Sequence, residues 1–143
     1  MNVFLLEYFT RLQSWHDLRK QTKLLDTKER CILIDHWWQQ TPQVSHYLHP
    51  DFVQDWPDPW ELLNENNYCP YARGLGMIYT LILLGEQDIA LVEATDDNSN
   101  DVVLVDCAKT IMNFWPDTVI NNKLQDFTVK RQLDISPLYK KII

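Results

Sequence analysis

The sequence predicts an α+β fold in which helices come first and a small antiparallel sheet follows. Apolar residues recur at helical spacing up to about residue 84, and from residue 88 the pattern changes to short runs rich in β-branched residues. Two of these runs flank the polar loop DDNSN, as the strands of a hairpin do. A chain of 143 residues has the usual length of one domain, so we expect residues 1–143 to form a single α+β domain.

The first predicted helix covers about residues 3–20. Its apolar side chains follow a spacing of three and four residues, which gathers them on one helical face. They are Phe4, Leu5, Tyr8, Phe9, Leu12 and Trp15. We expect this face to dock on another element.

A second helix begins at the capping sequence DTKE and ends before Pro42. Asp26 can cap its first turn, and Glu29 can complete a capping box. Its predicted buried side consists of Cys31, Ile34, Trp37 and Trp38.

The segment from Thr41 to Pro59 is Pro-rich and irregular, with apolar anchors that predict a wrapped connection. The sequence DPWE then predicts a short helix. Asp58 is its cap, Pro59 occupies the first helical position, and Glu61 completes the capping box.

The central element is a helix over residues 70–84 that is apolar on nearly every face, which predicts burial in the middle of the fold. Pro70 suits its first position, and this places Cys69 at the cap. Gly85 suits a left-handed end. Gly74 and Gly76 lower helix propensity, so we expect a neighbouring element to approach closely there.

The runs DIALVEAT and DVVLVDC predict an antiparallel hairpin, and FTVKRQLDI predicts a further strand. In that strand Phe127, Val129, Arg131 and Leu133 alternate with polar residues and are expected to share one face. The stretch KTIMNFWPDTVI between them predicts either a strand edge or a short turn of helix.

Charge and cysteine content exclude several classes of protein. Acidic residues outnumber basic ones by 20 to 13, and no basic stripe is present, so nucleic-acid binding is disfavoured. The 3 cysteines form no CxxC pair, which suits a reducing compartment.

The start of the chain has no basic region before an apolar run, and no apolar run reaches the ~20 residues of a membrane span, so we expect neither secretion nor membrane insertion.

Two stretches, NYCPYARGLGMIYTLILLG and DIALVEATDDNSNDVVLVDCAKT, resemble the core of the transglutaminase-like fold, a relative of the papain-type cysteine hydrolases. They cover about a third of the chain. The chain also resembles small transglutaminase-like proteins encoded by tailed phages of aquatic bacteria, which implies a cytoplasmic location in an infected cell or a place in the phage particle.

The resemblance implies a catalytic set of a cysteine nucleophile, a histidine base near the start of the first hairpin strand and an acid on the next strand. Cys69 matches the nucleophile and Asp106 matches the acid. The histidine is missing, because residues 87–89 stand at its position and no histidine follows His49. A thiol without a base or ion pair is only a few per cent thiolate at neutral pH. The resemblance therefore implies a degenerate member retained for binding, in which Cys69 is a small buried residue.

An enzyme remains the alternative, because papain-like relatives exist in which the histidine precedes the cysteine. His46 and His49 lie in the irregular connection, where either could fold over Cys69 and act as its base. With His49 as base and Asp106 as orienting acid, the chain would be a cysteine-dependent acyltransferase or amidase.

HYLHPD contains metal-ligand residue types, but its histidines are three apart beside a proline and match no helical metal motif. The acidic run EATDDNSND lacks the twelve-residue loop, with a central glycine and a terminal glutamate, that binds calcium in known motifs. We therefore expect no metal and no cofactor.

The favoured function is a non-catalytic interaction or assembly module, which we expect to be a structural component of a phage particle. Its expected partners are other proteins or further copies of the chain, with neither nucleic acid nor membrane among them. The predicted partner-binding residues are Trp56 and Trp60, which bracket a Pro-rich corner, and the apolar C-terminal Ile142 and Ile143.

Overall fold

A computed structural model describes residues 2–114 and 124–142, and it confirms the α+β prediction. The described helices are α1 (Tyr8–Thr22), α2 (Thr27–Trp38), α3 (Pro59–Glu65), α4 (Pro70–Leu83) and α5 (Ser136–Tyr139). The strands are β1 (Ile89–Thr95), β2 (Asp101–Cys107), β3 (Thr110–Met112) and β4 (Thr128–Leu133). Short 3-10 turns occur at Val3–Leu5, Pro50–Asp55, Leu124–Asp126 and Lys140–Ile142.

The helix ends follow the predicted capping chemistry. The side chain of Asp26 accepts the backbone N–H of Glu29 at 2.8 Å at the start of α2. Asp58 and Glu61 form the reciprocal capping box of α3, with donor–acceptor distances of 2.8 and 3.1 Å. Gly85 follows α4 with a φ of 88°. These local interactions set the positions at which three helices begin or end.

The four strands pair antiparallel in the order β3-β2-β1-β4. The predicted hairpin is confirmed, with Thr95 of β1 opposite Asp101 of β2. Asp96 holds the turn between them, since its carboxylate accepts the backbone N–H groups of Asn98 and Asn100, each at 2.9 Å. The stretch KTIMNFWPDTVI, residues 109–120, supplies the edge strand β3, and its residues 115–120 lie outside the described residues.

The predicted single face of β4 is wrong because the strand contains a bulge. Leu133 pairs with Leu91, but the register shifts between Glu93 and Ala94, which leaves Lys130 unpaired in the ladder. A bulge reverses the alternation of side chains that follow it. Phe127 therefore belongs to the apolar cluster on one face of the sheet, whereas Leu133 belongs to the core on the other.

The N-terminal segment also differs from the prediction of one continuous helix. A 3-10 turn precedes α1, with Asn2 capping it by accepting the backbone N–H of Phe4 at 3.0 Å. The interruption changes the helical phase, so Phe4 and Trp15 are buried while Leu5 and Phe9 are 77% and 74% exposed. The apolar residues of this segment therefore do not share one buried face.

Helix α4 lies in the centre, in contact with α2 on one side and with β1 and β2 on the other. The predicted close approach at Gly76 is confirmed, because a Cβ there would lie 2.4 Å from the ring of Trp38. Thr80 joins three elements, since its hydroxyl accepts the indole N–H groups of Trp15 and Trp38 at 2.9 and 3.0 Å. This arrangement fixes α1 and α2 on α4.

Candidate functional site

Cys69 is the N-cap residue of α4, as predicted, but its side chain lies inside the protein. It is 0% exposed, makes no capping hydrogen bond and belongs to the main apolar core. Among the described residues, no hydrogen bond joins its sulfur to an imidazole. In this position the thiol packs as a small apolar group and is not accessible to a substrate.

Asp106, the predicted orienting acid, lies on the opposite face of the sheet from Cys69. Side chains alternate along β2, and Val105 and Cys107 belong to the core that contains Cys69, whereas Leu104 belongs to the cluster on the far face. Asp106 shares the face of Leu104. Burial raises the pKa of the Asp106 carboxyl above its usual range. The structure does not bring the predicted nucleophile and acid together.

His49, the predicted base, serves a local structural role. It caps the 3-10 turn Pro50–Asp55, with its Nδ1 accepting the backbone N–H of Asp51 at 3.1 Å. Its exposed ring packs on Phe52, with 5.0 Å between ring centres. The imidazole that does approach the start of α4 is that of His46, whose ring centre lies 5.4 Å from that of Tyr71.

A cleft of about 470 Å³ lies between the first turn of α4 and the sheet. Side chains of charged, amide and aromatic residues surround it, together with a few apolar ones. The described residues that line it are Gln43, His46, Pro70, Tyr71, Arg73, Glu93, Ala94, Asp101, Val102, Val103, Asn113, Lys130 and Arg131. This set contains no cysteine, serine or threonine, so within the described lining the cleft has no thiol or aliphatic hydroxyl nucleophile.

Arg73 and Asn113 form the floor of the cleft. The Nε of Arg73 donates to the Oδ1 of Asn113 at 2.6 Å, and the Asn113 amide donates to the carbonyls of Pro70 and Val103 at 3.0 and 2.9 Å. The backbone N–H of Asn113 donates to Asp35 at 2.8 Å. Burial raises the pKa of Asp35 and lowers that of Arg73. This buried network ties the end of β3 to α4 and α2.

Sequence reasoning missed Asn113, although a signal existed. Its φ of 68° is in the left-handed region, where asparagine is enriched among residues other than glycine. An asparagine directly after a short strand is typical of such a turn.

The rim of the cleft is a paired set of charges. The Tyr71 hydroxyl donates to Glu93, which also accepts from Arg131, and Arg131 donates to Asp51 at 3.0 Å. Burial favours the protonated form of Glu93, but the hydrogen bonds from Arg131 and Tyr71 hold its pKa below the usual range. These bonds engage both oxygens of the Glu93 carboxylate and stabilise its charged form, so we expect it to be a poor general base.

The four predicted partner-binding residues have different environments. Trp56 is 2% exposed and its indole N–H donates to the carbonyl of His49 at 3.0 Å, so its side chain packs inside its own chain. Trp60 is 42% exposed. Ile142 is half-buried and packs against the core of its own chain, and Ile143 lies outside the described residues.

Trp60 belongs to a surface that we call the α1 groove, which consists of two adjoining depressions along the outer side of α1. His16 and Arg19 line both. The depression near α3 adds Phe9, Leu12, Gln13 and Trp60, and the depression near the end of α4 adds Lys20, Lys23, Leu83 and Leu84. The α1 groove therefore combines exposed apolar side chains with a cluster of cations.

Comparison with protein-family models and with curated proteins finds no match to this chain. Within residues 2–114 and 124–142, no helix has both the length and the apolar character that a membrane span requires. In the same ranges, no three His, Cys, Asp or Glu side chains are grouped so that they could hold a metal ion.

Proposed function

We propose that this chain is a non-catalytic interaction module on a transglutaminase-like fold, and that it binds a protein through the α1 groove. The observation that carries the proposal is the joint exposure of Phe9 and Trp60 in one depression of the surface. Exposed aromatic side chains grouped in a concave surface are typical of the centre of a protein interface.

The environment of the predicted catalytic residues supports a function without chemistry. A cysteine nucleophile must present its sulfur to a substrate and have a base within hydrogen-bond reach. Cys69 is fully buried, Asp106 is on the other face of the sheet, and His49 caps a local turn. Catalysis would need these side chains to move into a shared site.

The resemblance to phage-encoded proteins extends the proposal to a structural role in a phage particle. A module that joins two components of a particle needs an exposed binding surface and no active site. Detection of the chain at a fixed number of copies in purified particles would support this extension.

Site-specific photo-crosslinking in the cell that produces the protein tests the interaction directly. A photoreactive phenylalanine analogue replaces Phe9 in one variant and Tyr139, an exposed aromatic residue away from the α1 groove, in a matched control. We expect a discrete crosslinked product from position 9 that is unchanged by Cys69→Ala, and none from position 139. Equal products from both positions, or none from position 9, would refute the proposal.

One observation favours the second candidate, a cysteine-dependent acyltransferase or amidase. His46 lines the cleft beside Tyr71, close to the residue that follows Cys69. In this alternative His46 takes the role of base that the sequence assigned to His49. Loss of a measured amidase or transferase activity in both Cys69→Ala and His46→Ala, with binding retained, would favour it over the interaction module.

A further inference from the structure

The charges of the α1 groove indicate which kind of partner it binds. Three of its side chains are the cations Arg19, Lys20 and Lys23, and His16 lies beside them. None of the described residues that line either depression is acidic. The whole chain carries a formal charge of −7, so this is a local reversal of sign. We infer that the α1 groove binds an acidic amphipathic helix of a partner protein, and this inference rests on the proposed interaction function.

The length of the α1 groove fits a helix of about four turns. Its residues recur on α1 at the spacing of one helical face, from Phe9 through His16 to Lys23. At 1.5 Å per residue, these 14 steps span roughly 21 Å. A second helix laid along α1 presents one face over that distance.

Apolar side chains line both depressions of the α1 groove, and His16 and Arg19 lie where the two depressions meet. Phe9 and Trp60 form one apolar end, and Leu83 and Leu84 of α4 lie at the other. A matching helix carries large apolar residues near each end of its inner face and carboxylates between them. Apolar burial then provides affinity, and the charges provide register and orientation.

Arg19 is the cation best placed to recognise a carboxylate. Its guanidinium carbon lies 4.2 Å from the centre of the Trp15 ring, and the side chain lines both depressions. The Nε of Arg19 is buried and has no hydrogen-bond partner among the described residues. A planar guanidinium held against an aromatic ring is preorganised to bind a carboxylate through two hydrogen bonds.

Anionic membranes and nucleic acids fit this surface less well than a protein helix. The α1 groove has three Lys or Arg residues, whereas lipid-binding clusters usually have about four to eight. The exposed aromatic pair of Phe9 and Trp60 provides apolar contact that a phosphate backbone does not use.

Selection from a library of randomised 16-residue helical peptides, carried out against the whole protein, tests the inference without assuming a partner. Affinities of the enriched peptides are then measured by fluorescence anisotropy for three proteins. These are the natural sequence, the double variant Lys20→Glu/Lys23→Glu, and the matched control Lys140→Glu/Lys141→Glu at the other end of the chain. Circular dichroism checks that all three are folded.

We expect the enriched peptides to carry net negative charge and apolar residues at i, i+3 or i+4 and i+7. The groove variant should bind them at least about tenfold more weakly, the control should bind within about twofold of the natural sequence, and added salt should weaken binding. Enrichment without acidic bias, no enrichment, or equal affinity of the groove variant would overturn the inference.

Two further measurements separate this inference from other occupants. If the natural protein binds vesicles rich in phosphatidylserine, the α1 groove is a membrane-binding surface and the inference is overturned. If the protein self-associates and Lys20→Glu/Lys23→Glu abolishes this, the groove binds a second copy and the inference is likewise overturned. A crosslinked product from position 9 combined with peptides that lack acidic bias would leave the interaction function in place and refute only the acidic helix.

Discussion

Replacement of Thr80 by valine tests how the helical layer is held together. The two side chains have nearly the same volume, but valine has no acceptor for the indole N–H groups of Trp15 and Trp38. All three residues are 0% exposed, so water cannot take the place of the lost acceptor. An unsatisfied buried donor costs about 1–3 kcal/mol, so two of them should lower the free energy of unfolding by about 2–6 kcal/mol.

Thr80→Ser is the matched control, because it keeps the hydroxyl and removes one methyl group, for an expected loss of about 1 kcal/mol. Urea denaturation, followed by tryptophan fluorescence and circular dichroism, measures both variants. A natural domain has about 5–15 kcal/mol of stability, so the valine variant should lose a large fraction of it. A valine variant as stable as the serine variant would refute the assignment of both indole hydrogen bonds to Thr80.

Three other substitutions test separate parts of the structure. Burial raises the pKa of Asp35, so the natural protein should lose stability as pH rises from the ordinary pKa of an aspartate towards the raised one. Asp35→Asn keeps an acceptor and should remove that loss in denaturation curves recorded from pH 3 to 8. An unchanged pH dependence in this variant would contradict the assignment. Gly76→Ala places a Cβ 2.4 Å from the ring of Trp38, and the overpacking cost of about 1–3 kcal/mol should exceed the gain of about 1 kcal/mol in helix propensity. We therefore expect a lower melting temperature for this variant, and a higher one would disprove the close packing. Trp56→Ala should lower the free energy of unfolding, measured by urea denaturation, by about 3–5 kcal/mol because the side chain is buried. Trp60→Ala should lower it by less than about 1 kcal/mol and still abolish the crosslink from the α1 groove. A larger loss of stability for Trp60→Ala than for Trp56→Ala would contradict the assigned environments.

Local chemistry explains why much of the fold could be predicted from the sequence. Each cap depends on residues within four positions of one another, as at Asp58 and Glu61, and the hairpin depends on two runs separated by one short loop. Periodicity likewise predicted the buried side of α2. Such signals need no knowledge of distant contacts.

The features that could not be predicted depend on contacts between distant segments. The bulge at Lys130 is defined only by the pairing of β4 with β1, and the exposure of Phe9 follows from a break in phase before α1. The position of Asp106 on the far face depends on which face of β2 packs in the core with α4. The resemblance therefore matched Cys69 and Asp106 as a pair, although the sheet separates them.

The same limit applies to the tryptophans of the Pro-rich corner. Trp56 and Trp60 are equivalent in the sequence as aromatic residues beside prolines. The structure buries Trp56 against Tyr71, with 5.9 Å between ring centres, and leaves Trp60 at the surface in the α1 groove. Only the fold distinguishes a packing residue from a candidate contact residue.

Burial makes Cys69 a packing residue, and we propose that binding occurs at the outer surface, in the α1 groove. The most direct test is the rate at which iodoacetamide alkylates Cys69 in the native protein at neutral pH, resolved by mass spectrometry of the peptide that contains it. We predict that modification is far slower than in the unfolded chain and that its rate increases with urea in parallel with global unfolding. Rapid alkylation of Cys69 in the native protein, at or above the rate of a free thiol, would contradict this prediction and favour the alternative of a cysteine-dependent enzyme.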